Sequence, residues 1–143
     1  MRVLSRSGLR TLGQVALGGV LLTAGSAHLT ALRQEFRAQV PSWVPVDPDL
    51  VVVGSGVVEL GLGTALATVW RQPARGLVGA AAAAFFVAIF PGNIAQLVER
   101  RDAFGLDSDV KRAVRLVFQP LLVAWALTTT GAATAVRQVR ASH

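Results

Sequence analysis

Five polar side chains that could carry chemistry interrupt the long apolar stretches of this 143-residue sequence. In chain order they are His28, Glu59, Asn93, Arg115 and Gln119. A carboxylate and an imidazole can hold or transfer protons, and amide or guanidinium groups can hydrogen-bond to a ligand oxygen. The set therefore predicts either a ligand-binding or proton-handling site, or a structural cluster that holds helices in register.

Four apolar runs contain these residues, at about 12–31, 50–69, 76–97 and 113–136. Each has the length of a helix that crosses a hydrocarbon core of about 30 Å. An isolated strand in lipid would leave its backbone groups unpaired, so we expect helices. The sequence predicts an all-α, transmembrane four-helix bundle, as one domain over residues 1–143.

Composition supports the membrane class. The chain is 52% hydrophobic and 15% charged, with a net charge of +6, whereas soluble domains have about 25% charged residues. Basic residues stand at the ends of the apolar runs, which suits orientation in a lipid bilayer. No nucleic-acid-binding motif is present, so the bilayer and not a nucleic acid is the predicted partner.

Cysteine is absent, and His28 and His143 are the two histidines. This composition excludes disulfides and thiolate metal sites, and it leaves too few nitrogen ligands for a zinc or haem site. We therefore predict no metal site and no intrinsic cofactor.

The arginines near the N-terminus bear on orientation. Basic residues divide seven against seven between the two sides, but Arg2, Arg6 and Arg10 precede the first run and the short connection 71–75 is basic without acids. The first helix usually dominates topology. We predict a multi-pass protein of the cell membrane with both termini in the cytoplasm.

A signal peptide cleaved after Ala27 is the competing interpretation of the first run. It would leave three helices. The apolar character continues through Leu29 and Leu32, which favours an uncleaved first helix.

The candidate residues should lie in one half of the membrane. Alternating chain directions bring all four runs to the same side, with Glu59 about 13 Å below the start of its helix and deepest in the set. Gly56 and Gly63 share its face. Pro91 and Pro120 predict kinks in this half. Gln14 lies at the opposite end of the membrane.

Other features make smaller predictions. Segment 33–40 could form a short interfacial helix, followed by prolines at 41, 45 and 48. Phe36 and Trp43 either cap an opening in the bundle or anchor the loop at the lipid surface. A stripe of Gly76, Ala80, Ala84 and Ala88 predicts close helix packing. The charged loop 98–112 should be solvated, with Asp107 or Ser108 capping the last helix.

The ordered set of motifs resembles the DoxX-like family of small four-helix membrane proteins over residues 12–130. The matching elements are His28, Phe36, Pro41-x-Trp43-x-Pro45, Ser55–Leu60, Arg71–Arg75, Phe90–Ile94, Arg115-x-x-x-Gln119 and Trp125. The sequence departs from the family pattern at two positions. Leu29 stands where an aromatic residue often follows the histidine, and Gly92 stands where alanine is common.

The resemblance implies an integral membrane component of a quinone-linked or stress-related oxidoreductase system. A quinone is the ligand it suggests, and a redox protein is the partner that would supply electrons. The sequence has no self-contained catalytic motif, so an accessory subunit fits better than a complete enzyme.

Two alternatives stay open. One is a non-catalytic assembly or interaction protein with a structural polar cluster, and the other is a small transporter, which lacks the expected inverted repeat. A homo-oligomer is compatible with each of the three functions.

Overall fold

The computed structural model describes residues 5–102 and 105–143, and Arg2, used above for orientation, lies outside them. This part of the chain forms six α-helices. They are α1 (Arg6–Leu29), α2 (Arg33–Arg37), α3 (Pro48–Thr68), α4 (Ala74–Val98), α5 (Asp109–Thr130) and α6 (Ala132–Ala141). α1, α3, α4 and α5 are each long and apolar enough to cross a membrane. The all-α four-helix bundle predicted from the sequence is confirmed, and its composition is that of a multi-pass membrane protein.

Glycines bring α1 and α3 into close contact. A Cβ on Gly18 would lie 2.9 Å from the Gly63 carbonyl oxygen, and a Cβ on Gly25 would lie 2.9 Å from that of Gly56. The two pairs are seven residues apart on each helix, so they fall on one face of both. Glycine is required here because the backbones themselves touch, as in other packed membrane helices.

α4 packs on α5 and α6 through a face that includes Gly76 of the predicted stripe but then departs from it. Gly76, Gly79 and Ala83 are buried, and a Cβ on Gly79 would overlap Thr130. By contrast, Ala84 and Ala88 of the predicted stripe are exposed. The predicted stripe repeats every four residues. The buried residues are instead spaced alternately three and four apart, which matches the 3.6-residue period of the helix.

The fourth apolar run is divided, although the sequence predicted one helix over 113–136. α5 ends at Thr130 because Gly131 has φ +66°, a left-handed conformation that glycine adopts without steric cost. The chain then turns into α6, which packs its buried Ala132 and Ala135 against the start of α4. Arg137 and Arg140 are exposed on this short helix.

Capping residues fix where two helices near the site begin. The Asp47 carboxylate accepts a hydrogen bond from the Asp49 amide, and Pro48 occupies the first turn of α3. Of the two predicted caps for α5, Ser108 is the one used: its hydroxyl accepts from the Lys111 amide. Both α4 and α5 continue through Pro91 and Pro120 as single helices.

The buried core lies between the four long helices. It consists of Leu17, Leu21, Leu66, Ala82, Ala83, Phe86 and Ala126. The α1–α3 pair and the α4–α5 pair are the most extensive packing units.

Candidate functional site

A cavity of about 490 Å³ opens between the two helix pairs. This size is within the range of small-molecule pockets. It is lined mainly by apolar side chains such as Val20, Val52, Phe85 and Leu122. All five polar candidates and both cap candidates also line it: His28, Glu59, Asn93, Arg115, Gln119, Phe36 and Trp43.

His28 and Glu59 form a buried pair on the α1–α3 side of the cavity. His28 Nδ1 lies 2.8 Å from Glu59 Oε2, and the two side chains are 10% and 5% exposed. Nδ1 also lies 2.9 Å from the Ala24 carbonyl oxygen, in hydrogen-bonding geometry. The single proton on Nδ1 points to the Ala24 carbonyl oxygen. Glu59 Oε2 therefore has no hydrogen-bond partner among the described residues. A buried acceptor without a donor costs free energy.

Phe36 and Gly56 both lie against His28. Phe36 of α2 stacks on it, with ring centroids 3.3 Å apart and an angle of 14° between the rings. On α3, a Cβ at Gly56 would lie 2.9 Å from the His28 Cβ, so glycine at this position leaves space for the histidine. Phe36 thus supplies an aromatic face beside the histidine, although Leu29 stands at the following position.

A second polar group lies on the α4–α5 side of the cavity. Asn93 Nδ2 donates to Gln119 Oε1 at 2.9 Å, and Gln119 Nε2 donates to the Phe86 carbonyl oxygen at 2.8 Å. Arg115 Nε donates to Asn93 Oδ1 at 3.2 Å. Arg115 is therefore joined to the amide side chains on this side of the cavity.

Two members of this polar group, Gln39 and Gln96, were not predicted from the sequence. The Gln39 amide donates to Asn93 Oδ1 at 3.2 Å and to Gln96 Oε1 at 2.9 Å. With its oxygen and nitrogen exchanged, the same amide would accept from Arg115 at 3.2 Å. Gln96 is three residues after Asn93, a spacing that places both on one helix face, so the sequence did contain a sign of its position.

The cap loop, residues 38–46 between α2 and α3, covers one end of the cavity. Val40, Pro41, Trp43 and Val44 line it from this side, and the indole of Trp43 remains largely exposed. Gly92 allows the loop to approach α4, because a Cβ there would lie 2.8 Å from the Gln39 carbonyl oxygen. That contact accounts for a glycine at position 92.

Arg101 fastens the cap loop to the connection between α4 and α5. Its Nη1 donates to the carbonyl oxygens of Ala38, at 2.9 Å, and Val40, at 2.5 Å. The Ser42 hydroxyl donates to Glu99 Oε1 at 2.5 Å, and this hydrogen bond lowers the pKa of the Glu99 carboxyl. Arg101 also pairs with Glu99 at 2.5 Å.

The charged connection is therefore less solvated than the sequence predicted. Arg112 is 5% exposed and is bonded to Asp102, to Asp109 and to the Arg101 carbonyl oxygen. At the exposed part, Lys111 donates to Asp107 and lowers the pKa of that carboxyl. Arg101 and Arg112 thus hold this segment to its neighbours, whereas its three aspartates, Asp102, Asp107 and Asp109, remain largely exposed to solvent.

A smaller groove of about 290 Å³ lies on the outer face of α4 and α5. It is almost wholly apolar and is lined by Val87, Phe90, Pro120 and Val123, together with Gln119. Gln119 thus borders both this groove and the main cavity.

Gln14 lies at the opposite end of the bundle, as predicted, in a separate polar cluster. It is fully buried and donates to the Leu66 and Val69 carbonyl oxygens at the end of α3, at 2.8 and 3.0 Å. Arg75 donates to Gln14 Oε1 at 2.6 Å and to the Thr129 carbonyl oxygen at 3.0 Å. These bonds satisfy carbonyls at helix ends, which is a structural role.

Comparison with known proteins identifies a family whose function is unknown. Residues 17–130 match the model of a family described as a domain of unknown function, DUF8561. The match includes every residue that lines the main cavity. No curated protein and no solved structure matches the chain.

Proposed function

This chain belongs to the DUF8561 family, and we propose that it is a multi-pass membrane protein that binds a quinone-like ligand as the membrane component of an oxidoreductase system. The ligand would occupy the cavity between the α1–α3 and α4–α5 pairs. Both termini would lie in the cytoplasm, with the cap loop on the other side of the cell membrane.

One observation carries the proposal: Glu59 Oε2 is buried, lines the cavity and lacks a hydrogen-bond partner in the described chain. A charged or polar group inside a membrane protein is expensive and commonly marks a site of function. The surrounding walls are apolar, with a few convergent polar groups. This is the general character of a small-molecule site.

The size of the cavity and the apolar lining of both the cavity and the groove favour an amphiphile. The cavity of about 490 Å³ accommodates a substituted ring, and the groove beyond Gln119 is lined by apolar side chains. Quinones combine such a ring with an apolar tail and two oxygen atoms. The resemblance to DoxX-like proteins supports the redox part of the proposal, and a partner protein would supply the electrons.

The first experiment is quantitative mass spectrometry of the quinones retained by the full chain after purification in mild detergent from quinone-containing membranes. We expect about one quinone per chain in the wild type. Ala24→Phe, which fills the cavity wall, should remove it. Ala81→Phe, at an exposed position outside the cavity lining, should not.

The proposal fails if no quinone is retained and no quinone-dependent activity appears with any co-purified protein. The same sample identifies such partners by proteomics. For orientation, a C-terminal reporter that is active outside the cytoplasm would contradict the proposed topology.

A second candidate is a non-catalytic assembly protein, favoured by the mutual hydrogen bonds of Asn93, Gln119 and Arg115. In that case, the polar group serves the bundle and the exposed apolar helix faces bind partner helices. Glu59→Gln would then leave partner binding nearly intact and would have no ligand to release.

A further inference from the structure

The orientation of the His28 ring determines what Glu59 needs from a ligand. A carbonyl oxygen only accepts, so the hydrogen bond to Ala24 requires a proton on Nδ1. Glu59 Oε2, 2.8 Å from the same nitrogen, cannot donate its own proton there. Beside a nitrogen that carries a proton, Oε2 can act only as a hydrogen-bond acceptor.

The cavity therefore presents an acceptor that the described chain leaves unsatisfied. Glu59 is 4% exposed, so bulk water does not serve it as it would a surface carboxylate. A ligand that offers a hydrogen-bond donor would remove the cost of this bare acceptor, whereas a ligand with acceptors alone would add to it. We therefore expect the cavity to retain ligands that carry a hydrogen-bond donor in preference to ligands that carry only acceptors.

The donor is better supplied by a neutral hydroxyl than by a cation. Arg115 lines the same cavity, and in a low-dielectric site its charge would repel an ammonium group. A hydroxyl oxygen can also accept hydrogen bonds, which suits the amide-rich wall around Asn93. Phenolic hydroxyls on a ring meet both requirements.

We infer that the cavity binds the hydroxyl-bearing quinol form in preference to the quinone, with Glu59 Oε2 accepting a hydrogen bond from a phenolic hydroxyl. This inference rests on the proposed function and adds to it the form of the ligand. A quinone offers two carbonyl acceptors and no donor, so it leaves Glu59 unsatisfied.

A matched pair of probes tests this without redox chemistry. 4-Hexylphenol and 4-hexylanisole share a ring and an alkyl chain, but the phenol alone has an O–H donor. Equilibrium dialysis against the detergent-solubilised full chain gives both dissociation constants. We expect the phenol to bind about tenfold more tightly, because hydrogen bonds to a charged acceptor are about twice as strong as neutral ones.

The variant Glu59→Gln keeps the size of the side chain and an acceptor oxygen but removes the charge. It should reduce the preference for the phenol to about two- or threefold, following the weaker neutral hydrogen bond. Glu35→Gln is the matched control, because Glu35 does not line the cavity. Circular dichroism checks that the variants are folded, and absence of the preference in the wild type already overturns the inference without any variant.

The outcomes separate the two proposals. Equal binding of the two probes, or tighter binding of the anisole, overturns the donor requirement while quinone retention can still stand. Failure of both probes and of quinones to bind overturns the proposed function and this inference together. A preference for the phenol that Glu59→Gln does not change would also overturn the assignment to Glu59.

Discussion

His28 Nδ1 approaches Glu59 Oε2 to 2.8 Å while its proton points to the Ala24 carbonyl oxygen. The pairing joins the last turn of α1 to the middle of α3. It depends on Gly56, which leaves space for the His28 Cβ. Gly56 thus contributes both to the close packing of α1 on α3 and to the position of Glu59 Oε2, the unsatisfied acceptor in the cavity.

The first prediction concerns the glycine contacts between α1 and α3. Gly63→Ala should destabilise the bundle by about 1–3 kcal/mol, the usual cost of overpacking, because its Cβ would lie 2.9 Å from the Gly18 carbonyl oxygen. Gly61→Ala is the control on the same helix, with open space around it. Thermal unfolding in detergent measures both, and equal melting temperatures would contradict the packing described for these helices.

The second prediction concerns the attachment of the cap loop. Arg101→Gln removes the bonds to the Ala38 and Val40 carbonyl oxygens, so amide hydrogens in residues 38–46 should exchange faster and a bound quinone should dissociate faster. Arg100→Gln is the neighbouring control, since the Arg100 side chain is 76% exposed. Unchanged exchange in Arg101→Gln would show that this arginine does not hold the loop.

The third prediction is a pH dependence of the same attachment. The Ser42 hydrogen bond holds the pKa of Glu99 below its ordinary value of 4.5. A lowered folded-state pKa means that the contribution is complete above the ordinary value and is lost as the pH falls through the folded value. The cap loop should therefore stay closed at neutral pH and loosen only below about pH 4.5.

Fluorescence of Trp43 reports on this loosening, because Trp43 belongs to the cap loop and Trp43→Phe identifies its share of the emission. In Ser42→Ala the transition should move to higher pH, toward the ordinary pKa of a glutamate. A transition at the same pH in both proteins would mean that the Ser42–Glu99 contact does not control the loop.

Periodicity and length made the four long helices predictable. The predicted run 50–69 differs from α3 by only one or two residues at each end. Its start is marked by Pro48 and its length by the apolar stretch, and both are local features of the sequence. The end of the last run was not predictable from hydropathy, since Ala132 and Ala135 continue the apolar pattern. Only the left-handed backbone of Gly131 separates α5 from α6.

The candidate site was predictable as a set of residues but not as a set of pairs. Hydropathy identifies His28, Glu59, Asn93, Arg115 and Gln119 because each is polar in an apolar run. Which of these side chains contact each other depends on how each helix is rotated about its axis. In the structure, Arg115 contacts Asn93 and His28 contacts Glu59. Gln39 and Arg101 act from loops, where no periodicity indicates a partner.

Photoaffinity labelling with an azidoquinone tests the central claim, that the cavity holds a quinone-like ligand, most directly. Labelled peptides from the full chain should map to cavity-lining positions, and excess unlabelled quinone should suppress them; the expected positions are Val52, Ser55, Phe85, Phe86 and Leu122. Labelling confined to exposed apolar positions such as Val57, Val114 and Val117, unaffected by competitor, would contradict the account.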